Sequence, residues 1–418
     1  MKQYFGVRRF TVAVVIACMF PPIASAFQVL PRITDVDRKL ASLGESQWMD
    51  GIGQWVVGNA LPMIKSPVHE AITLNALDCV VQAGFESECL ASATVLQNQV
   101  LLYGVRWPDD PPFGLNKTSP PRVEDCNPKV TLRSTSQPKC WKTLFSDADR
   151  TAKQRITKRP GEPAFGPGDY LLYRSHFGDL QFFHSMAAFD GEAASDTVRR
   201  MKMWAQFLWG IGTGTIAKDR FIRTVRVEQL EHYFPGDLTA INLFATGIVE
   251  VRKDLDKVAI GVLLHMVQDS FSEAHAGRNA ETGAACEFIP RFAQPGSMRQ
   301  FYSYAGQSAT LHDHEDTFKA LGTQTLQISP SVVDVSRAFL TLWQERASWA
   351  DAEKYFDCAF ALENPSAKAG PGPFVKEVAP RREARTSDSS WNCPRVNFGW
   401  TQAISEPKQP SVLPITQR

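Results

Sequence analysis

The segment 258–267 (VAIGVLLHMV) is apolar except for His265, and Asp269 follows His265 one helical turn later. A helix of this composition reads as buried. It carries His265 and Asp269 inward with it. At i and i+4 the two side chains share one face of the helix and can act on one ligand together. Buried without partners they would cost several kcal/mol. A fold that accepts this segment must supply them with hydrogen-bonding or metal-binding surroundings, a stricter demand than bulk composition makes.

The rest of the sequence suits a helical body around that segment. Its 418 residues, 44% hydrophobic and 21% charged, suffice for a core and exclude globally disordered, collagen-like and coiled-coil chains. Alternating apolar and polar stretches are few and there is no internal repeat, so the expected class is mainly α. Helical texture runs over 33–104, where SPVHEAITLNALDCVVQAG carries apolar residues at helical spacings behind Pro67, and again from 170 to about 363. Its richest part, LTAINLFATGIVEVRKDLDKVAIGVLLHMVQDSFSEAH, is one helix or two, with Pro235-Gly236 just ahead. Over 107–168 the composition turns to Pro, Ser, Thr and Lys and reads as a long irregular insertion, whose length calls for a staple or a function. The stretch 366–418 is rich in Pro, Arg and Ser and reads as a tail wrapped on the surface or partly disordered.

The N-terminus points to a compartment. Lys2, Arg8 and Arg9 precede an apolar run over 10–20, then Pro21-Pro22 and the small residues Ala24-Ser25-Ala26. The run is about half the ~20 residues of a membrane span, so 1–26 is expected to be a cleaved signal peptide and the protein secreted or periplasmic. A lipid anchor through Cys18, or a twin-arginine signal at Arg8-Arg9, would leave it on the same side of the membrane. Cleavage turns the formal charge of +1 into −2, since three cations and no acid are lost. Such a chain lacks the basic excess typical of nucleic-acid binders. Seven cysteines remain: Cys79, Cys89, Cys126, Cys140, Cys286, Cys358 and Cys393. Cys79–Cys89 and Cys126–Cys140 are candidate short-range bridges, and the odd count leaves a thiol free or shared between chains. With no CxxC pair, a cysteine zinc site is not expected.

The histidines extend the pair on the apolar segment into a constellation. His275 completes H-x3-D-x5-H. On a straight helix it would lie about 15 Å from His265, too far to share an ion that holds its ligands at about 2 Å. Asp269 lies between the two, with two oxygens that can bridge neighbouring ions. LHDHEDTF repeats the i, i+4 pattern with His312 and Asp316, His314 being a competitor on another face. Upstream stand His69, His184 and the adjacent acids Asp109 and Asp110 of YGVRWPDDPPF. Imidazoles and carboxylates without thiolate suit zinc in a hydrolytic site. Singly, a His-x3-Asp pair is more often a surface hydrogen bond. Jointly, with two members inside an apolar segment, the metal reading gains weight.

In these motifs the sequence resembles the zinc-dependent phospholipase C and single-strand nuclease superfamily. Its hallmark is H-x3-D-x5-H followed by H-x3-D/E, preceded by an Asp and a His and by an N-terminal His. The resemblance covers roughly residues 60–320, as scattered motifs rather than continuous similarity. It implies a single multi-helix hydrolase domain, here 27–365 with the insertion at 107–168, and two to three zinc ions. One ion would take His265, Asp269, His184 and an acid of the Asp109-Asp110 pair; a second, His275, His312 and Asp316; a third, His69 and a shared Asp269. Asp109 or Asp110 would also orient or deprotonate the attacking water. There are departures. The family completes its third ion with a Trp at the mature N-terminus, whereas this chain is expected to begin at Phe27, 42 residues before His69. The third site is then either absent or completed by another group such as Glu70. The Asp109-to-His184 separation is longer than usual, which makes Asp169 the fallback ligand. His176 and His232 match nothing and are expected to be structural or surface residues.

The implied reaction is phosphoester hydrolysis by metal-activated water. From a phosphatidylcholine-like phospholipid, a phospholipase C releases diacylglycerol and a phosphorylated head group; a nuclease would instead cut single-stranded nucleic acid. The charge of −2 and the lack of a basic stripe with interleaved aromatics favour a membrane or phospholipid substrate, with no stable nucleic-acid partner expected. The stretches 48–57 (WMDGIGQWVV) and 204–211 (WAQFLWGI) are candidates for a membrane interface, though buried helix faces are the commoner use of such stripes. A secreted, non-catalytic metal-binding protein is the reading from another class. It is disfavoured because structural zinc sites normally close with Cys and His.

Overall fold

The computed structural model describes residues 68–79, 97–113, 126, 133, 137–280, 284–308, 311–312 and 330–375. In chain order these form helices α1 (Val68–Ala76), α2 (Gln99–Arg106), α3 (Pro138–Lys158), α4 (Leu171–Phe177), α5 (Ala194–Thr213), α6 (Leu230–Tyr233), α7 (Ala240–Phe244) and α8 (Leu255–Asp269). An antiparallel pair of strands follows, β1 (Ala276–Arg278) and β2 (Met298–Phe301), and then α9 (Val332–Gln344) and α10 (Trp349–Ala359). The described protein is mainly α.

The apolar segment forms the central helix. Every residue of α8 over 258–269 is buried, and α2, α5, α9, α1 and α7 pack around it. The long helical stretch is broken rather than continuous. α7 ends at Phe244, a 3-10 turn occupies Glu250–Arg252, and α8 stops at Asp269, so His275 lies beyond the helix in the turn that leads to β1.

Helix α2 meets α8 backbone to backbone. A Cβ on Gly104 would lie 2.3 Å from the Val258 carbonyl oxygen, and one on Gly261 would lie 2.3 Å from the Leu101 carbonyl oxygen. Only glycine permits this approach on both sides. It brings the Val105 carbonyl to His265 and the turn after α2, with Asp109, to the end of α8. Helix α5 lays Trp204, Phe207, Leu208 and Trp209 against the same core, each at most 1% exposed. The stretch 204–211 is therefore interior and does not offer a membrane interface; 48–57 lies outside the described residues.

The stretch 107–168 is not irregular throughout, because α3 takes up 21 of its residues. Cys140, Trp141, Leu144, Phe145, Ala148 and Ala152 make one buried stripe at helical spacing. With Phe165, Leu172, Tyr173, Phe177 and Tyr304 they form a second apolar cluster beside the main core. Polar residues at most of the remaining positions, Lys and Arg among them, hide the stripe in the sequence, and Pro138 opens the helix at its first turn, where its missing N–H costs nothing. The staple expected for this stretch is present as the Cys126–Cys140 disulfide. A second disulfide joins Cys286 to Cys358. Cys79 is disulfide-bonded as well, while Cys89 and Cys393 lie outside the described residues. These bonds fit an oxidising compartment. No described helix is long and apolar enough to cross a membrane; the expected signal segment is outside the described residues.

The C-terminal tail begins later than 366. Over 365–374 the chain is sewn onto the body: Ser195 and Ala194 donate their N–H groups to the Pro365 and Ala367 carbonyls, Ala369 donates to Glu192, Ser303 to Gly370 and Ser308 to Phe374. Residues 376–418 lie outside the described set.

Gly261→Ala puts a methyl group into the α2 backbone. It should lower unfolding stability by about 1–3 kcal/mol or more in chemical denaturation. Gly166→Ala, whose Cβ meets nothing within 4 Å, should change it by less than about 0.5 kcal/mol. Equal stabilities would refute the close contact.

Candidate metal centre

Side chains from separate parts of the chain meet where α8 ends. Helix α1 supplies His69, the turn after α2 supplies Asp109, the 3-10 turn Gln181–His184 supplies His184, and α8 supplies His265 and Asp269. His275 arrives from the turn before β1, and His312 from a helical turn beyond β2. None of these side chains belongs to a residue more than 3% exposed. Around the Asp269 carboxylate stand His184 Nδ1 at 2.9 Å, His265 Nε2 at 3.0 Å, His69 Nε2 at 3.2 Å and His275 Nδ1 at 3.5 Å. Asp109 reaches the same histidines, with Oδ1 3.6 Å from His265 Nε2 and 3.7 Å from His184 Nδ1, and Oδ2 3.9 Å from His69 Nε2. His265 Nε2 and His184 Nδ1 are 3.0 Å apart.

Oxygen acceptors behind the rings fix how four of the imidazoles face. His265 Nδ1–H donates to the Val105 carbonyl at 2.7 Å, and His275 Nδ1–H to the His184 carbonyl at 2.8 Å. Two glutamines serve the others. Gln307 Nε2 donates to the Ala274 carbonyl, so its Oε1 is the atom that accepts from His312 Nδ1 at 2.6 Å. Gln268 Nε2 donates to Thr73 Oγ1, leaving its Oε1 to accept from His69 Nδ1 at 2.7 Å. A neutral imidazole that donates from Nδ1 presents a lone pair at Nε2. His69 and His265 thus turn lone pairs toward carboxylates, and His275 and His312 turn them toward each other, Nε2 to Nε2 at 3.2 Å. Acceptors repel at such distances unless a cation or a shared proton lies between them. Imidazoles tied through their second nitrogen to an oxygen are the usual metal-ligating arrangement. His184 enters with Nδ1 instead. It is anchored by Ser185, which takes a left-handed conformation (φ 52°) and donates its hydroxyl to the Met266 carbonyl.

The spacings suit an ion. Four ligands held about 2 Å from a tetrahedral ion stand roughly 3.3 Å apart. His184 Nδ1, His265 Nε2, Asp269 Oδ2 and Asp109 Oδ1 are separated by 2.9 to 3.7 Å in the pairs given above. Electrostatics makes the same demand. Burial alone would raise the Asp269 pKa, but the attraction of His265, His275 and His69 in their protonated forms and the hydrogen bond from His184 hold it well below the usual carboxylate range. Yet burial pushes His265 down to about 3 and lowers His184 too. Near neutral pH these two rings are uncharged and do not balance the carboxylates. Asp269 is also the last residue of α8, at the negative end of the helix dipole. A divalent cation would supply the missing charge.

Several sequence expectations are sorted by this geometry. His265 and His275 are not strung along one straight helix, because α8 ends at Asp269 and the chain turns back. Asp109 is the acid placed against the histidines. Asp110 is buried beside it, with its carbonyl accepting from Arg133. Asp169, the fallback, pairs with Arg155 at 3.2 Å near the surface. Glu70 faces the Arg106 Nε at 3.1 Å, a buried ion pair that joins α1 to α2. His176 is buried with its ring centroid 4.9 Å from that of His184, and His232 is exposed. Asp316 and His314 lie outside the described residues. The orienting residues Gln268, Gln307 and Ser185 went unread in the sequence. Gln268 had a signal, a polar side chain on the apolar helix; Gln307 had none.

No family model, curated protein or solved structure matches this chain.

In the metal-free protein the histidines should tie stability to pH. His265 and His184 bind protons less well folded than unfolded, where the pKa is about 6.5. Acidification therefore favours the unfolded state: stability is full above about pH 6.5 and falls as pH drops, in the case of His265 down to its folded value of about 3. Urea titrations of the chelated protein should give roughly 2 kcal/mol less stability at pH 5.5 than at pH 7.5. A flat profile would rule out the buried neutral histidines.

Proposed function

We propose that this protein is a secreted, zinc-dependent phosphoric diester hydrolase of phospholipase C type. Its substrate would be a phosphatidylcholine-like lipid, cleaved on the glycerol side to diacylglycerol and a phosphorylated head group. The observation that carries the reading is a buried set of imidazole lone pairs, those of His69 and His265 facing the carboxylates of Asp109 and Asp269 and those of His275 and His312 facing each other, held from behind by carbonyl and amide oxygens. Nitrogen and carboxylate donors without thiolate are the chemistry of hydrolytic zinc rather than of a closed structural site.

Zinc bound there would supply Lewis acidity toward a phosphoryl oxygen and a water acidified to near neutral pH. The chain's residues divide the remaining work. His184, His265, Asp109 and Asp269 would hold one ion. His275 and His312 would hold a second together with Asp316, and His69 a third through Asp269. Asp109 would hold the proton taken from the attacking water, with Asp110 as its neighbour in the same turn. The carbonyls of Val105 and His184 and the amides of Gln268 and Gln307 keep the rings from rotating. Burial of the α8 end limits competition from bulk water, which strengthens each of these contacts.

A mature charge of −2 favours a lipid over a polyanionic nucleic acid. Three measurements test the reading together: metal content, hydrolysis of phosphatidylcholine vesicles and cleavage of single-stranded DNA. Two to three zinc ions per chain and lipid hydrolysis are expected, with Asp269→Asn reducing that hydrolysis by about two orders of magnitude or more while the chain stays folded. Less than one zinc per chain sinks the enzyme. DNA cleavage without lipid hydrolysis moves the activity to a nuclease.

A further inference from the structure

Arg278, in β1, is a buried cation that forms no ion pair with a described acid. Its donors go to oxygens at the ends of structural elements. Nε donates to the Ser270 carbonyl at 3.0 Å and Nη2 to Ser270 Oγ at 2.8 Å; Nη1 donates to the Gly296 and Ala359 carbonyls, both at 2.9 Å. Ser270 caps the C-terminus of α8, and Ala359 is the last residue of α10. The guanidinium therefore sits between the negative ends of two helices, where a cation is favoured without a carboxylate. The rings of Phe271 and Phe360 flank it at 4.3 and 5.5 Å. The Cys286–Cys358 disulfide ties the end of α10 to the loop between the strands. Burial lowers the guanidinium to about 9, so it stays charged at neutral pH.

What Arg278 grips is the start of the turn between two proposed ligands. Ser270 follows Asp269 directly, and the turn then closes through Ser272 N–H to the Asp269 carbonyl and His275 N–H to the Ser272 carbonyl. The turn brings His275 Nδ1 to 3.5 Å from Asp269 Oδ2. The Tyr302 N–H donates to the His275 carbonyl from the far side.

We propose that Arg278 is a positioning residue of the metal centre, holding Ser270 between the ends of α8 and α10 so that Asp269 and His275 converge. This rests on the metal-binding reading given above. It predicts that Arg278 governs metal affinity as well as stability, which a merely structural arginine would not do. Arg278→Met and Arg278→Lys are compared with the wild type in three respects: thermal unfolding of the chelated protein, the zinc dissociation constant from competition with a chromophoric chelator, and the visible absorption of the cobalt-substituted protein. Well below its melting temperature, Arg278→Met should bind zinc about 10- to 100-fold more weakly and show altered cobalt bands. Arg278→Lys, which keeps the charge but lacks the planar fork, should fall between. A lowered melting temperature with unchanged affinity and spectrum in Arg278→Met overturns the proposal. Should Arg278→Met not fold, Arg278→Lys decides by the same two readouts. A wild type that binds no divalent ion ends both this proposal and the enzyme reading. A wild type that binds ions but hydrolyses neither substrate sinks only the latter, and the affinity comparison still decides the role of Arg278.

Discussion

The carboxylate of Asp269 is the constraint around which the described structure is arranged. It is fully buried at the negative end of the central helix, with four imidazole nitrogens within 3.5 Å. As the last residue of that helix it adds a carboxylate to an end that is already negative, so positive or proton-donating groups are favoured around it. The protein places one fixed cation, Arg278, behind the helix end and turns lone pairs toward the space in front. The close α2–α8 contact serves the same end, since glycines at positions 104 and 261 let the Val105 carbonyl hold His265 and bring Asp109 within 3.6 Å of it.

The second apolar cluster is not a separate appendage. Its Tyr304 ring meets His312 edge-on with centroids 4.4 Å apart, and His176, beside Trp141 and Phe145, lies against His184. The stretch 107–168 thus begins with the Asp109 turn and contains a helix whose apolar face packs on His176 and Tyr304, the rings that lie against His184 and His312. The main core holds the site from one side and the second cluster from the other. Such double packing fixes rotamers, as a set of converging lone pairs requires.

His265 and Asp269 were legible in the sequence because a polar pair on an apolar helix needs an explanation in any fold. The partners His275, His184 and His69 were legible as candidate ligands by residue type and spacing. The geometry that joins them was not. Helix α8 stops at Asp269, and a turn held by long-range contacts to Arg278 brings His275 back, which no local signal announces. Choosing among Asp109, Asp110 and Asp169 needed the packing of α2 on α8 and the position of Arg155. Helix α3 was missed because its apolar stripe is diluted by cations and preceded by a Pro- and Ser-rich stretch. Gln307 acts only through the fold: its amide is aligned by the Ala274 carbonyl, 33 residues away.

The hydrogen bonds that orient the imidazoles span long stretches of chain. His69 depends on Gln268, 199 residues later, and His265 on Val105, 160 residues earlier. A chain emerging N-terminus first, from a ribosome or a translocation pore, carries His69 and Asp109 for 160 further residues before Asp269 is made. Loop closure on this scale is slow, and it comes before any gain from the contacts it permits. The centre is thus a property of the finished polypeptide. Under the proposed metal binding, early fragments would not capture ions through it, and the metal supply that would count is the one in the place where folding is completed.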